Sequence, residues 1–242
     1  MKPRVIPIIT ISDGRVVKTT NFKNPRYVGD VINTVKIFSD LGADEIIILD
    51  ITATLQKKDF DLHLLEKLVR LCSVPLGVGG GINQSAYGQK IISVGCEKIV
   101  INSINFSDPE TITELSSILG SQAVVGSIDY VKSINRVASQ SGTKIHETTP
   151  LSHAKFLESI GVGEIMLTNI QADGTRIGLD YETSESLSRI LKIPVIACGG
   201  LNSLAEIHNI YNSKILSAVG AGSFFMFHSD NRNVAIHYEN NF

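Results

Sequence analysis

The chain nearly repeats itself at a spacing of about half its length, and few folds accept such a pattern. Gly42-Ala43-Asp44-Glu45-Ile46 returns as Gly161-Val162-Gly163-Glu164-Ile165. Pro75-Leu76-Gly77-Val78-Gly79-Gly80-Gly81-Ile82-Asn83 returns as Pro194-Val195-Ile196-Ala197-Cys198-Gly199-Gly200-Leu201-Asn202. Both pairs are displaced by the same 119 positions. That displacement also lays Val124-Val125-Gly126-Ser127-Ile128-Asp129 over Val5-Ile6-Pro7-Ile8-Ile9-Thr10. One half therefore closes its first strand in a carboxylate, the other in a hydroxyl.

Short Val- and Ile-rich runs alternate with segments of helical period. In the first half the strands read 4–11, 45–51, 76–78 and 98–102, each followed by a helix, at 30–41, 62–72, 85–94 and 108–119. In the second half the strands read 123–129, 164–168, 195–197 and 216–220, with helices at 151–160, 181–191 and 203–211 and a C-terminal segment in place of the last. Strands apolar at consecutive positions fit parallel strands buried on both faces, and eight such units close into a (β/α)₈ barrel. An open doubly wound sheet is the competing arrangement. The similarity of the halves argues against it, because a closed eightfold barrel has a natural twofold axis between units one and five.

At 242 residues and 43% hydrophobic the chain suits one large core, read as a single barrel domain over 1–242 with half-barrels of about 1–120 and 121–242. A net charge of −2 carries no overall field toward nucleic acid or an anionic membrane. Cys72, Cys96 and Cys198 lack CxxC spacing, and the first residues lead straight into a strand, so a cytoplasmic protein with reduced thiols is expected. No apolar run approaches the roughly 20 residues of a membrane span. Neither a cofactor nor a metal ion is called for.

In a barrel of this kind, chemistry sits at the C-terminal strand ends. Gly80 and Gly81 after strand three, and Gly199 and Gly200 after strand seven, let backbone N–H groups converge on an anion, with Ser103 and, beside Gly222, Ser223 as hydroxyl donors. Two such sites suit a small molecule phosphorylated at both ends. The alternative is that the glycines only make tight turns. Asp129 can take and return a proton there, or cap a helix. Asp50, Asn102 and the Asp173-Gly174-Thr175 turn are further candidates, although Asp-Gly is also an ordinary turn signal. Lys18, on the loop after strand one, is in reach of an anionic ligand or simply solvated. At the opposite mouth, Arg4, Glu45, Lys98 and Glu164 start four strands and should pair as a ring, since unpaired charges are costly there. Residues alone favour reading that ring as a plug.

These stretches, together with Asp13-Gly14-Arg15-Val16-Val17-Lys18, Leu49-Asp50-Ile51-Thr52-Ala53, Ile101-Asn102-Ser103 and Gly120-Ser121-Gln122-Ala123-Val124, resemble the HisF family, the cyclase subunit of imidazole glycerol phosphate synthase. The resemblance runs from Arg4 to about Phe227. It implies a (β/α)₈ barrel with a glutaminase docked at its bottom face, whose ammonia travels along the barrel axis to a bisphosphorylated substrate on top. The family's bottom gate maps onto Arg4, Glu45, Lys98 and Glu164, which turns the plug into a gate. Its two catalytic aspartates map onto Asp129 and Thr10. Threonine does not ionise near neutral pH, and general acid–base help is worth about 10²–10⁴-fold, so a poor cyclase is expected. Gln171 also replaces a family Asp. The tail Phe224-Phe225-Met226-Phe227, followed by Asn231-Arg232-Asn233-Val234-Ala235-Ile236, is unlike a full eighth helix. It resembles the ending of HisF-like paralogues that accompany a glutaminase and an N-acetyl sugar amidotransferase in surface-polysaccharide synthesis. The resemblance thus implies either ammonia supply for sugar amidation or an authentic cyclase of histidine synthesis.

Overall fold

A computed structural model describes residues 2–228 and 233–239. Eight parallel strands run in chain order around a closed sheet: β1 (Arg4–Ser12), β2 (Ile46–Asp50), β3 (Leu76–Gly79), β4 (Lys98–Ile101), β5 (Val124–Val131), β6 (Glu164–Asn169), β7 (Val195–Cys198) and β8 (Ala218–Ala221). Closure is made by β1 against β8, with Arg4 opposite Ala218 and Pro7 opposite Ala221. The barrel expected from the alternating pattern is therefore present.

Consecutive apolar residues on a strand serve two different layers, which is why the runs do not alternate with polar residues. Ile6, Ile8, Ile47, Val100, Val125, Met166 and Ile196 point inward and fill the barrel as a cluster of their own. Val5, Ile9, Ile46, Ile48, Val78, Ile99 and Val124 face outward and join the larger core under the helices.

Among the described residues, seven helices of ten or eleven residues cover that outer face: α1 (Val31–Asp40), α2 (Leu62–Leu71), α3 (Ser85–Val94), α4 (Pro109–Leu119), α5 (Pro150–Ser159), α6 (Tyr181–Ile190) and α7 (Leu204–Ser213). Six begin at a side chain that accepts from the exposed N–H groups of the first turn, namely Asp30, Asp61, Asp108, Thr149, Asp180 and Ser203. Each such cap typically contributes about 1 kcal/mol. The eighth helix is a single turn, Ser223–Met226, followed by a short antiparallel pair, Phe227–His228 with Asn233–Val234. Phe225, Met226 and Phe227 are buried, and the Tyr238 hydroxyl donates to the Val5 carbonyl at 2.8 Å, so the tail packs back onto β1. Asn231 and Arg232 of the tail motif lie outside the described residues.

Two antiparallel hairpins rise above the top of the barrel. Arg15–Thr20 pairs with Lys23–Asp30 after β1, and Arg136–Ser139 pairs with Lys144–His146 after β5. Lys18 therefore lies on a hairpin strand rather than on an irregular loop.

Candidate functional site

A cavity of about 650 Å³ opens at the C-terminal ends of the strands. Thr10, Lys18, Asp50, Gly80, Gly81, Asn102, Ser103, Asp129, Asp173, Gly174, Gly199, Gly200, Gly222 and Ser223 all line it. Strand ends fix Thr10 and Asp129, the first hairpin brings Lys18, and the loop after β6 brings Asp173.

Lys18 is buried, and its ammonium donates to the Ile8 carbonyl at 2.6 Å. The solvated reading of this residue is overturned. Burial pulls its pKa down to about 8, with Asp173 and Cys198 acting the other way. The Asp129 carboxyl accepts from Asn102 Nδ2 at 3.1 Å. Burial first, then the charge of Asp173, push it up to about 7, while a hydrogen bond from Thr168 opposes the rise. Burial also raises Asp173, against the pull of Lys18 and a hydrogen bond with Thr19. Two carboxyls and an amine thus share one poorly hydrated space, where their protonation states are interdependent.

Thr10 sits at the same rim, and its hydroxyl donates to the Val17 carbonyl, tying β1 to the first hairpin. Asp50 spends one carboxylate oxygen on the turn that follows it, accepting from Thr52 N at 2.9 Å, Thr52 Oγ1 at 2.8 Å and Ala53 N at 3.0 Å. That is a turn-ordering role. Gln171, in place of a family carboxylate, is exposed and accepts from Ser133 N at 2.8 Å.

The glycines answer first to packing. A Cβ at Gly81 would strike the Lys58 carbonyl oxygen, and one at Gly174 would strike the Thr19 carbonyl oxygen; both residues also have left-handed φ, of 72° and 73°. These contacts account for glycine at either position without any ligand.

Several lining residues escaped the sequence reading: Lys57, Lys58, Lys144, Arg176, Phe106 and His146. Phe106 is stacked between His146 and His153, at centroid distances of 3.6 and 4.3 Å. For Lys144 and His146 the available signal was a second short Val- and Ile-bearing stretch after strand five, which marks a hairpin.

At the opposite mouth Arg4 contacts both Glu45 and Glu164. Lys98 Nζ lies 2.9 Å from Glu45 and 2.8 Å from Glu164, which closes a four-membered ring. The glutamate side chains are 3% and 5% exposed. Burial works against the Arg4 charge, yet Glu164 and Glu45 more than offset it and hold the guanidinium above its ordinary value. Among the described residues, the inward apolar cluster of Ile6, Ile47, Val125 and Ile196 occupies the barrel interior, with Ile8, Val100 and Met166 of the same cluster also lining the cavity.

The histidine biosynthesis protein family model matches residues 4–231. The chain belongs to this family. Within it the barrel is HisF-like, since the similar curated proteins are HisF subunits. The chain is 40% identical over 241 residues to a Pseudomonas aeruginosa protein provisionally named imidazole glycerol phosphate synthase subunit hisF2, covering 98% of this chain and 96% of that one. A Leptospira interrogans HisF, also provisionally named, is 36% identical over 99% of this chain and 96% of its own. The HisF subunit of Leuconostoc mesenteroides is 37% identical over 93% of this chain and 90% of its own. Among the described residues of this HisF-like barrel no helix is long and apolar enough to cross a membrane, and no group of His, Cys, Asp and Glu is arranged to hold a metal ion.

Proposed function

We propose that this HisF-like barrel receives ammonia from a HisH-like glutaminase docked at its bottom mouth and supports amidation of an N-acetyl sugar in surface-polysaccharide synthesis, in the cytoplasm and alongside a sugar amidotransferase. The observation that carries the reading is the combination of an intact charged ring with Thr10 at the rim. Arg4, Glu45, Lys98 and Glu164 pair with one another, two cations against two anions, and a neutral molecule such as ammonia crosses an apolar layer at less cost than its cation. Thr10 lines the upper cavity without an ionisable group, so the family's pair of acids is broken at one of its two strand ends.

In this mechanism the upper cavity holds a phosphorylated ligand. Backbone at Gly80–Gly81 and Gly199–Gly200, with Ser103 and Ser223, meets its phosphates, while Lys18, Lys57 and Arg176 supply positive charge. The second reading, an authentic cyclase of histidine synthesis, is favoured by one observation, that a second carboxyl, Asp173, lines the same cavity as Asp129. Expression in a histidine-requiring strain that lacks its own cyclase subunit separates the two. The sugar reading expects no growth without histidine, and robust growth refutes it. For the gate, Lys98→Ala should uncouple the partner's glutamine hydrolysis from product formation, and unchanged coupling returns the ring to a plug.

A further inference from the structure

We propose that Phe106, Ser139, Lys144 and His146 form a subsite for the base of a nucleoside diphosphate, the handle by which an activated sugar is held in the upper cavity. The inference rests on the sugar reading above and names the form in which that sugar arrives.

The second hairpin builds the platform. Lys144 and His146 lie two positions apart on one strand and therefore share a face. Both line the cavity, while Ile145 between them is 44% exposed on the other face. Ser139, buried on the paired strand, shares a hydrogen bond of 2.8 Å with His146 Nε2, which fixes the orientation of the imidazole. Phe106, in the single turn Ile104–Ser107 after β4, stacks on one face of that ring with an interplanar angle of 9°. Buried His153 of α5 covers Phe106 from behind, at an angle of 5°. Three parallel rings thus run from the helical layer to the cavity wall. Both faces of Phe106 are taken, and among the described residues no further ring stacks on His146. The outer face of the imidazole is the flat surface that the stack leaves open. Burial first, then Lys144, hold His146 below its ordinary pKa, so at neutral pH it stands beside Lys144 as an uncharged ring.

Phosphate-binding groups adjoin this surface. Gln140 N donates to Ser103 Oγ at 3.2 Å and Ser141 Oγ donates to the Ile51 carbonyl at 2.8 Å, so the hairpin tip is pinned between the loops after β4 and β2. The glycine turn after β3 lies against the same β2 loop, where a Cβ on Gly81 would strike the Lys58 carbonyl. Five cationic side chains line the cavity, Lys18, Lys57, Lys58, Lys144 and Arg176, against three carboxyls, Asp50, Asp129 and Asp173. An excess of cations beside a flat ring suits a diphosphate joined to a heteroaromatic base better than a bare sugar phosphate. Every base has a π face, so the stack itself sets no choice among bases. Because the imidazole is already stacked and hydrogen-bonded, little ordering is lost when another ring is laid on it.

Isothermal titration of the full chain at neutral pH tests the subsite, with UDP, GDP, ADP and CDP as probes and inorganic pyrophosphate as the probe without a base. At least one nucleoside diphosphate should bind more tightly than pyrophosphate. His146→Ala should weaken that nucleotide about tenfold or more and leave pyrophosphate binding unchanged. His146→Phe, which keeps a ring to stack on, should retain most of the nucleotide affinity. Pyrophosphate bound as tightly as every nucleotide, no nucleotide binding at all, or equal loss of both probes in His146→Ala overturns the subsite. So does a His146→Ala chain that melts at a lower temperature with nucleotide affinity unchanged, the result expected of a purely structural stack. None of these measurements involves a glutaminase or turnover. Their failure leaves the ammonia-receiving reading standing, and growth of the histidine-requiring strain would sink the sugar reading while the ring subsite stood.

Discussion

Replacing Lys98 with alanine gives the sharpest energetic test of the bottom ring. Lys98 Nζ makes two contacts, at 2.9 Å to Glu45 and 2.8 Å to Glu164, and both glutamates are almost wholly covered. Removing one partner of a buried pair typically costs about 3–5 kcal/mol. Two features reduce that here. Arg4 continues to hold both carboxylates, and the ring meets the mouth of the barrel, with Lys98 17% and Arg4 30% exposed. Against this, Glu45 Oε1 already has no hydrogen-bond partner, so the site has little reserve. The net expectation is a loss of about 3 kcal/mol, which leaves a domain of ordinary stability folded. Urea unfolding reads it as a lower midpoint at unchanged slope. A loss below about 1 kcal/mol, the range of exposed ion pairs, would show that the ring is solvated and refute the reasoning.

Two further outcomes follow from the geometry. Gly174→Ala puts a Cβ against the Thr19 carbonyl and strains a left-handed φ, so it should cost about 1–3 kcal/mol and raise hydrogen exchange first at Asn21, whose N–H donates to the Asp173 carbonyl; unaltered exchange there would show that this contact is unimportant. His153 is buried with Nε2 unpartnered, and burial, then His146, bring its pKa down to about 4. A base depressed in the folded state binds fewer protons than the unfolded chain, so stability should fall as pH drops from 6.5 toward 4. His153→Phe, which keeps the stack on Phe106, should flatten that part of the profile, and an identical slope in the variant would count against it.

The strands were legible because each is a run of residues that must be apolar on both faces, as a parallel sheet covered by helices demands, and the repeat of the halves then favoured closure into a barrel. Most helix starts were legible for a similar reason, since Asp30, Asp61 and Asp108 announce themselves just before apolar periods. The hairpins were not read. Arg15–Thr20 and Arg136–Ser139 are short, and their strand character depends on a partner a few residues on and on the barrel rim below. The burial of Lys18 went unread with them. Asp173 looked like a turn because its local signal, Asp-Gly, is a turn signal. Its place in the cavity comes from Asn21 and Thr19, about 150 residues earlier in the chain. The cations Lys57, Lys58 and Arg176 carry no pattern of their own and become neighbours only when the barrel closes.

The two hairpins occupy equivalent places, one after the first strand of each half, and each decorates the strand end that carries Thr10 or Asp129. The rim above the strands thus keeps the twofold relation of the two halves in its backbone, while the side chains at the matching strand ends, a hydroxyl on one and a carboxylate on the other, break it.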